Sequence, residues 1–174
     1  MRDDFFLLMN ASGVTSNEKV VTRFRRFRTT QEAEKMVKDW LEYFLDVQCV
    51  PAREEEALRK EHYGMLPEDV FICPAVETPA DLTGYNDFYD LGGLGRIFNI
   101  LLQPIYDAES ARQVCSDIDQ EYGISGKSSE EGRRMKACLD AFLRAFETDA
   151  PVDAGVEESL MSFIERGGFS LIDP

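Results

Sequence analysis

The sequence predicts an α+β fold: a small antiparallel sheet near the N-terminus packs on an amphipathic helix, and a mainly helical C-terminal half completes the core. Three observations predict it. Short apolar and β-branched runs open the chain, a full apolar stripe follows, and the same helical spacing recurs after residue 108. The length of 174 residues suits a single domain. Within it we distinguish a sheet-and-helix portion at 1–73 and an acidic helical portion at 94–166.

Two runs near the N-terminus predict strands. Phe5–Met9 is too short for a secretory signal and has acids before it, so we interpret it as a buried strand. Val20–Arg28 alternates like a strand at first, although Thr15-x-x-Glu18 could instead cap a helix there. Its β-branched and aromatic content favours a strand. With Phe5–Met9 it would then form an antiparallel hairpin across a turn at Asn10–Asn17.

The clearest helix of the chain is predicted at Thr30–Leu45. It opens with the capping-box pattern Thr29-x-x-Glu32. Its apolar residues have the spacing of one helical face: Ala33, Met36, Val37, Trp40, Leu41 and Phe44. Trp40 is the only tryptophan and lies in the middle of the stripe, so we expect it at the centre of the core.

The middle of the chain has weaker patterns. We predict a polar helix from Pro51 to about His62 and a core strand at Asp69–Cys73. Ala75–Gly93 shows no periodicity and is predicted to be a long loop, a kind of segment that often carries function. It mixes aromatic and acidic residues, among them Tyr85, Asp87, Phe88, Tyr89 and Asp90. These aromatic side chains either pin the loop to the core or contact a partner.

Helical spacing dominates the remainder. We predict helices at Leu94–Gln103, at Ala108–Tyr122, after the cap Ser128-x-x-Glu131, and at Val156–Arg166. A proline-containing linker at Asp149–Ala154 precedes the last of them, and Gly167-Gly168 ends it.

Charge is unevenly distributed along the chain. Residues 1–60 hold 11 Lys/Arg and 11 Asp/Glu, a net charge of zero. Residues 61–174 hold 8 Lys/Arg and 22 Asp/Glu, which accounts for the whole net charge of −14. Such an asymmetry bears on the choice of partner more than on the fold.

Positive charge is dense only at Arg23, Arg25, Arg26 and Arg28, which interleave with phenylalanines. Arginines between aromatic side chains can bind single-stranded nucleic acid. However, phosphate would be repelled by a chain of net charge −14. We therefore predict that these arginines pair with acids from the later part of the chain, and that the protein does not bind nucleic acid directly.

Motifs for metals and cofactors are weak. The four cysteines are far apart in sequence and surrounded by apolar residues, so we expect reduced, buried thiols and a cytoplasmic location. Asp117, Asp119 and Glu121 alternate as in a calcium loop, but the glycine comes one position late and Ser128 stands where the final glutamate belongs. No apolar run is long enough to span a membrane.

Catalytic and phosphate-binding motifs are also incomplete. Gly92-Gly93-Leu94-Gly95 precedes a predicted helix but lacks the Lys-Ser/Thr of a P-loop. His62 is the only histidine, so it is the only histidine that could act as a base for a serine or cysteine nucleophile. We predict no metal, no cofactor and no identifiable catalytic residue.

These observations favour a non-enzymatic acidic binding protein that inhibits or neutralises a basic protein partner. Nucleic-acid mimicry against a nuclease, as in antirestriction or anti-CRISPR inhibitors, is one form, and immunity to a basic toxin is another. The competing class is a carboxylate-dependent enzyme with residues 75–93 as its active-site loop. The candidate partner-binding residues are Asp107, Glu109, Asp117, Asp119, Glu121, Glu130 and Glu131, with Tyr85, Asp87, Phe88, Tyr89 and Asp90.

Overall fold

The computed structural model of the chain describes residues 2–13, 21–37, 39, 77–85, 87–90 and 97–170. Over these residues the fold is α+β, as predicted. The strands are β1 (Phe5–Gly13), β2 (Val21–Phe27), β3 (Asp87–Asp90) and β4 (Ile97–Ile105). The helices are α1 (residues 30–37), α2 (Ala108–Tyr122), α3 (Glu130–Glu147) and α4 (Ala154–Glu165), with a 3₁₀ helix at Pro79–Tyr85.

The strands form one sheet in the order β2-β1-β4-β3. β3 and β4 are antiparallel, with Asp87 opposite Ile100 and Asp90 opposite Ile97. The strand interpretation of Val20–Arg28 is confirmed and its helical alternative is wrong. β1 and β2 are neighbours, as the predicted hairpin requires.

β1 is longer than predicted. The apolar run Phe5–Met9 is buried throughout, which fits a strand that lies between two others. The strand continues to Gly13, so the predicted turn at Asn10–Asn17 is wrong for its first four residues. Serine, glycine and asparagine indicate turns by local preference, and here the hydrogen bonds of the sheet override that preference.

The largest error in the sequence prediction concerns residues 97–105. The predicted helix at Leu94–Gln103 is wrong over its described part, because Ile97–Ile105 is β4. A short apolar run has the same composition in a buried strand and in a buried helix. β4 is an interior strand between β1 and β3, and the consecutive residues Pro104 and Ile105 are both buried.

Ala75–Gly93 is not one long loop. Its described residues form the 3₁₀ helix Pro79–Tyr85 and the strand β3. Asp81 accepts hydrogen bonds from the backbone and hydroxyl of Thr78, which stabilises the start of the 3₁₀ helix, and Leu82 is fully buried. A four-residue edge strand is too short to show periodicity in the sequence.

α1 begins as its capping pattern predicts. The backbone N–H of Glu32 donates to Thr29 Oγ1 at 3.2 Å. The carboxylate of Glu32 accepts from the backbone N–H of Arg28, one residue before the cap. Ala33 and Val37 are buried on one face, as the predicted stripe requires, but the prediction is wrong for Met36, which is exposed.

α2, α3 and α4 match the predicted helices, and α2 has the same bounds. α4 begins at Ala154, two residues earlier than predicted, with Asp153 as its cap. The cap of α3 is Ser129 and not the predicted Ser128, because Ser129 Oγ accepts from the N–H of Gly132 at 3.1 Å. The three helices bury most of their predicted apolar stripes: Ala111, Val114, Cys115, Ile118, Met135, Leu139, Phe142, Phe146, Leu160, Phe163 and Ile164.

The chain divides into two compact units that are both discontinuous in sequence. One comprises residues 1–9, 21–26 and 103–174, and the other comprises residues 10–20 and 27–102. In the first unit, aromatic rings from the sheet and α3 form the centre of the core. Phe6 lies 5.3 Å from Phe24 and 5.0 Å from Phe142, and Phe142 lies 5.0 Å from Phe146.

Several predictions fall on residues outside the described ranges. They include Trp40, the helix from Pro51 to His62, the strand Asp69–Cys73 and the Gly92–Gly95 run. The division into a single domain with portions 1–73 and 94–166 stays a prediction. Within the described residues, no helix combines the length and apolar character needed to cross a membrane.

Candidate functional site

Two arginines of β2, Arg25 and Arg26, are paired with acids of the same compact unit. Arg25 forms an ion pair with Glu165 of α4, and its Nη1 also donates to the carbonyl of Phe24 at 3.0 Å. Arg26 Nε lies 3.5 Å from Glu157 Oε1. Burial, with a smaller effect of the neighbouring Arg23, lowers the pKa of Arg25. The predicted pairing of this cluster with acids of the C-terminal part is confirmed for Arg25 and Arg26.

Two acids of the C-terminal helices are helix caps. Asp107 Oδ1 accepts from the backbone N–H of Ser110 at 2.8 Å, and Ser110 Oγ accepts from the N–H of Asp107, which completes a capping box for α2. Asp153 Oδ1 accepts from the N–H groups of Gly155 and Val156 at the start of α4. Both carboxylates thus satisfy backbone donors that would otherwise lack partners.

Asp117 and Asp119, predicted as partner contacts, have intramolecular partners. Asp117 accepts from Gln113 and from Gln103 of β4. Asp119 accepts from the backbone N–H of Ser125 at 2.7 Å, from its hydroxyl, and from Lys136 at 3.4 Å. Partial burial alone would raise the pKa of Asp119, but these hydrogen bonds outweigh it and the pKa lies below its ordinary value.

Further acids form ion pairs on and between the helices. Glu131 contacts Arg166 beyond α4, and it lies 3.9 Å from Arg134. Lys136 Nζ lies 3.6 Å from Asp140 as well as near Asp119. Burial alone would lower the pKa of Lys136, but these two carboxylates raise it.

Four glutamates of the C-terminal helices are exposed and form no ion pair with any described residue. They are Glu109 and Glu121 of α2, Glu130 of α3 and Glu158 of α4. Of the predicted acidic contacts, therefore, Glu109, Glu121 and Glu130 keep carboxylates available to a partner.

Glu109 lies in a shallow groove of about 570 Å³ along the start of α2. Tyr106 forms one wall and is 38% exposed. The described residues that line the groove are Tyr106, Asp107, Glu109, Ser110, Arg112, Gln113 and Ser116. Sequence reasoning missed Tyr106, because a lone tyrosine after a predicted helix end shows no pattern.

The predicted aromatic contacts lie on two different elements. Tyr85 ends the 3₁₀ helix, whereas Asp87, Phe88, Tyr89 and Asp90 form β3 at one edge of the sheet. Phe88 pairs with Asn99 and Tyr89 with Phe98 in the register with β4. A partner would meet these residues on a sheet edge and not on a loop.

The described cysteines are free thiols. Cys115 is buried in the core, and burial raises its pKa to about 12. Cys138 is partly exposed, so the prediction of buried thiols is confirmed for Cys115 and wrong for Cys138. In the described part of the chain, no three His, Cys, Asp or Glu side chains are grouped so that they could hold a metal ion.

Comparison with known protein families, with characterised proteins and with solved structures finds no match to this chain.

Proposed function

We propose that this chain is a non-enzymatic acidic binding protein whose partner is a basic protein. The groove at the start of α2 is the proposed contact, and one observation carries it. An exposed aromatic side chain, Tyr106, lies beside a carboxylate, Glu109, that is exposed and forms no ion pair within the described residues. Most other acids of the C-terminal helices have structural partners.

This arrangement suits an arginine from a partner. A guanidinium can stack on the face of a tyrosine ring while it donates to a nearby carboxylate. Tyrosine is also enriched in protein interfaces, because its ring is large and its hydroxyl tolerates water. The net charge of −14 would speed association with a basic surface and make that association sensitive to salt.

The geometry favours a compact contact over mimicry of a long duplex. Duplex DNA carries a charge about every 1.7 Å of its axis, so a mimic needs many acids along one face. The acids of this unit are spread over three helices and their caps, and the outer face of α3 carries Arg133, Arg134 and Arg144. Neutralisation of a basic toxin or of a nuclease at a single docking point fits this distribution better. The free thiols of Cys115 and Cys138 fit a reducing compartment such as the cytoplasm.

The test is affinity capture from extracts of the native host at low and high salt. We expect the wild-type chain to retain a basic protein at low salt and to release it at high salt. The variant Tyr106→Ala/Glu109→Gln should lose that protein. With the purified partner, calorimetry should show its affinity reduced by at least about tenfold, since interface aromatic side chains can contribute 2 kcal/mol or more.

A matched control is the variant Met36→Ala/Glu77→Gln. Met36 has the same exposed fraction as Tyr106, 38%, and Glu77 is an exposed acid outside the groove. The control should bind like the wild type. Equal binding by the groove variant, or capture of no basic protein at low salt, would contradict the proposal.

A further inference from the structure

The outer face of α3 has no partner in the described chain. α2 and α4 both pack against this helix, and its inner face is buried through Met135, Leu139, Phe142 and Phe146. The opposite face is exposed along its whole length, at Glu130, Arg133, Arg134, Ala137, Asp140, Ala141, Arg144 and Glu147. Three arginines and three acids lie along this face, so it carries both signs of charge and no net charge.

These exposed positions repeat with the spacing of a helix-pairing seam. Glu130, Ala137 and Arg144 are seven residues apart, and the other five lie three or four residues from them. This is the spacing with which one helix face lies along another. Here the seam faces solvent and carries charges.

The charges along the seam are opposite on the two sides of Ala137. Three residues before it is Arg134, and three residues after it is Asp140. Seven residues before it is Glu130, and seven residues after it is Arg144. In an antiparallel pair of identical helices centred on Ala137, residues at equal distance from the centre face each other. Each of the two pairings therefore joins opposite charges, and the two-fold axis produces each pairing twice.

The side chains at the centre of the seam allow the two helices to approach. Ala137 would face Ala137 of the second copy, and Ala141 would face Arg133 of the second copy. Small residues permit short interaxial distances, near 8 Å. Within α3, Arg134 lies 3.9 Å from Glu131 and Asp140 lies 3.6 Å from Lys136. Both ion pairs are long, so Arg134 and Asp140 can still pair with charges of a second copy.

We propose that α3 pairs with α3 of a second copy of this chain, antiparallel about Ala137, through Arg134–Asp140 and Glu130–Arg144 contacts. The helix has 18 residues, or about 27 Å of length. One helix pair buries less than the roughly 1,000 Å² of a stable interface, so the dimer is weak and depends on concentration. Under physiological conditions salt screens charges more than about 8 Å apart, so the repulsion between two chains of net charge −14 is largely screened at long range.

Sedimentation velocity on the full chain tests this pairing. We expect the weight-average sedimentation coefficient to rise between about 5 and about 500 µM protein near 0.15 M salt, and to rise less in about 1 M salt. Arg134→Glu or Asp140→Arg alone should raise the dissociation constant at least about tenfold, because each places like charges opposite each other twice. The double variant Arg134→Glu/Asp140→Arg should restore association.

Lys35→Glu is the matched control, since it makes the same charge change at an exposed position of α1 and should leave association unchanged. Circular dichroism verifies that each variant is folded. A chain that stays monomeric over the whole concentration range overturns the proposal, and so does a double variant that associates no better than the single ones.

Cross-linking tests the register independently. With mild oxidant, Ala137→Cys should give a disulfide-linked dimer more readily than Ala141→Cys, because only position 137 lies on the proposed two-fold axis. The wild-type chain controls for its own four cysteines. Equal yields at 137 and 141 would refute the antiparallel register.

Discussion

At the scale of single residues, the acids of the C-terminal helices are mostly structural. Asp107 and Asp153 cap helices, and Asp119 fixes the loop after α2 through Ser125. A carboxylate at a helix N-terminus or beside a backbone N–H stabilises the fold through a charge-assisted hydrogen bond. A high count of acids is therefore a poor measure of how many are available to a partner.

The glycine pair after α4 gives a test at this scale. Gly167 and Gly168 have φ of 87° and 94°, a conformation that strains other residues. A Cβ at Gly168 would also lie 2.5 Å from Tyr122 Cδ1, whose ring packs 5.1 Å from that of Phe163. We expect Gly168→Ala to lower the free energy of unfolding by more than about 2 kcal/mol.

Gly167→Ala is the control for that substitution, because no atom lies within 4 Å of its Cβ position. It should lose only the backbone term of about 1 kcal/mol. Urea unfolding measures both variants. Equal losses of unfolding free energy in the two variants would mean that the Tyr122 side chain moves to accommodate the added methyl group.

Asp119 predicts a pH dependence of stability. Because folding lowers its pKa, its contribution is present above the ordinary carboxyl pKa of about 3.9 and is lost as the pH falls through the lower folded value. Asp119→Asn should reduce the free energy of unfolding by about 1 kcal/mol near pH 7. The difference from the wild type should shrink at a pH well below about 3.9.

Urea unfolding at both pH values measures the effect of Asp119. Glu121→Gln, an exposed change on the same helix, should show no such pH-dependent difference. A loss for Asp119→Asn that is as large in acid as at neutral pH would show that its charge is not the cause.

At the scale of elements, the helices with long apolar stripes were predictable and the strands of the middle segment were not. α2 and α3 repeat apolar residues over four or five turns, which no strand can produce. β4 spans nine mostly apolar residues, a composition that suits either structure, and its place between β1 and β3 decides that it is a strand. β3 has only four residues. Strands pair with residues that are distant in the sequence, so a local pattern predicts strand pairing poorly.

The start of α3 gives a test at the scale of elements. Ser129 Oγ accepts from the N–H of Gly132, whereas the side chain of Ser128 is exposed and one residue outside the helix. Ser129→Ala should lower the free energy of unfolding by about 1 kcal/mol. Ser128→Ala should change it by less than about 0.5 kcal/mol. Thermal or urea unfolding compares the two variants. A larger loss of unfolding free energy for Ser128→Ala would show that Ser128 is the cap, as the sequence predicted.

At the scale of the whole molecule, the fold of the first compact unit brings arginines from the neutral part of the sequence next to glutamates from the acidic part. β2 comes from the neutral part of the chain and α4 from the acidic part, yet Arg25 and Arg26 pair with Glu165 and Glu157. What a basic partner would meet is the surplus that remains after such pairing. Glu109, which lines a groove together with Tyr106, belongs to that surplus.

The sequence alone determined the α+β class, the N-terminal strands, the three C-terminal helices and their buried stripes, because these depend on periodicity and on local capping. It also determined that acids outnumber bases by 14. Only the tertiary structure decided that residues 97–105 are a strand and that Ser129 caps α3. It alone showed which carboxylates form no ion pair within the described residues. The partners of a carboxylate are often distant in the chain, and a local sequence pattern does not identify them.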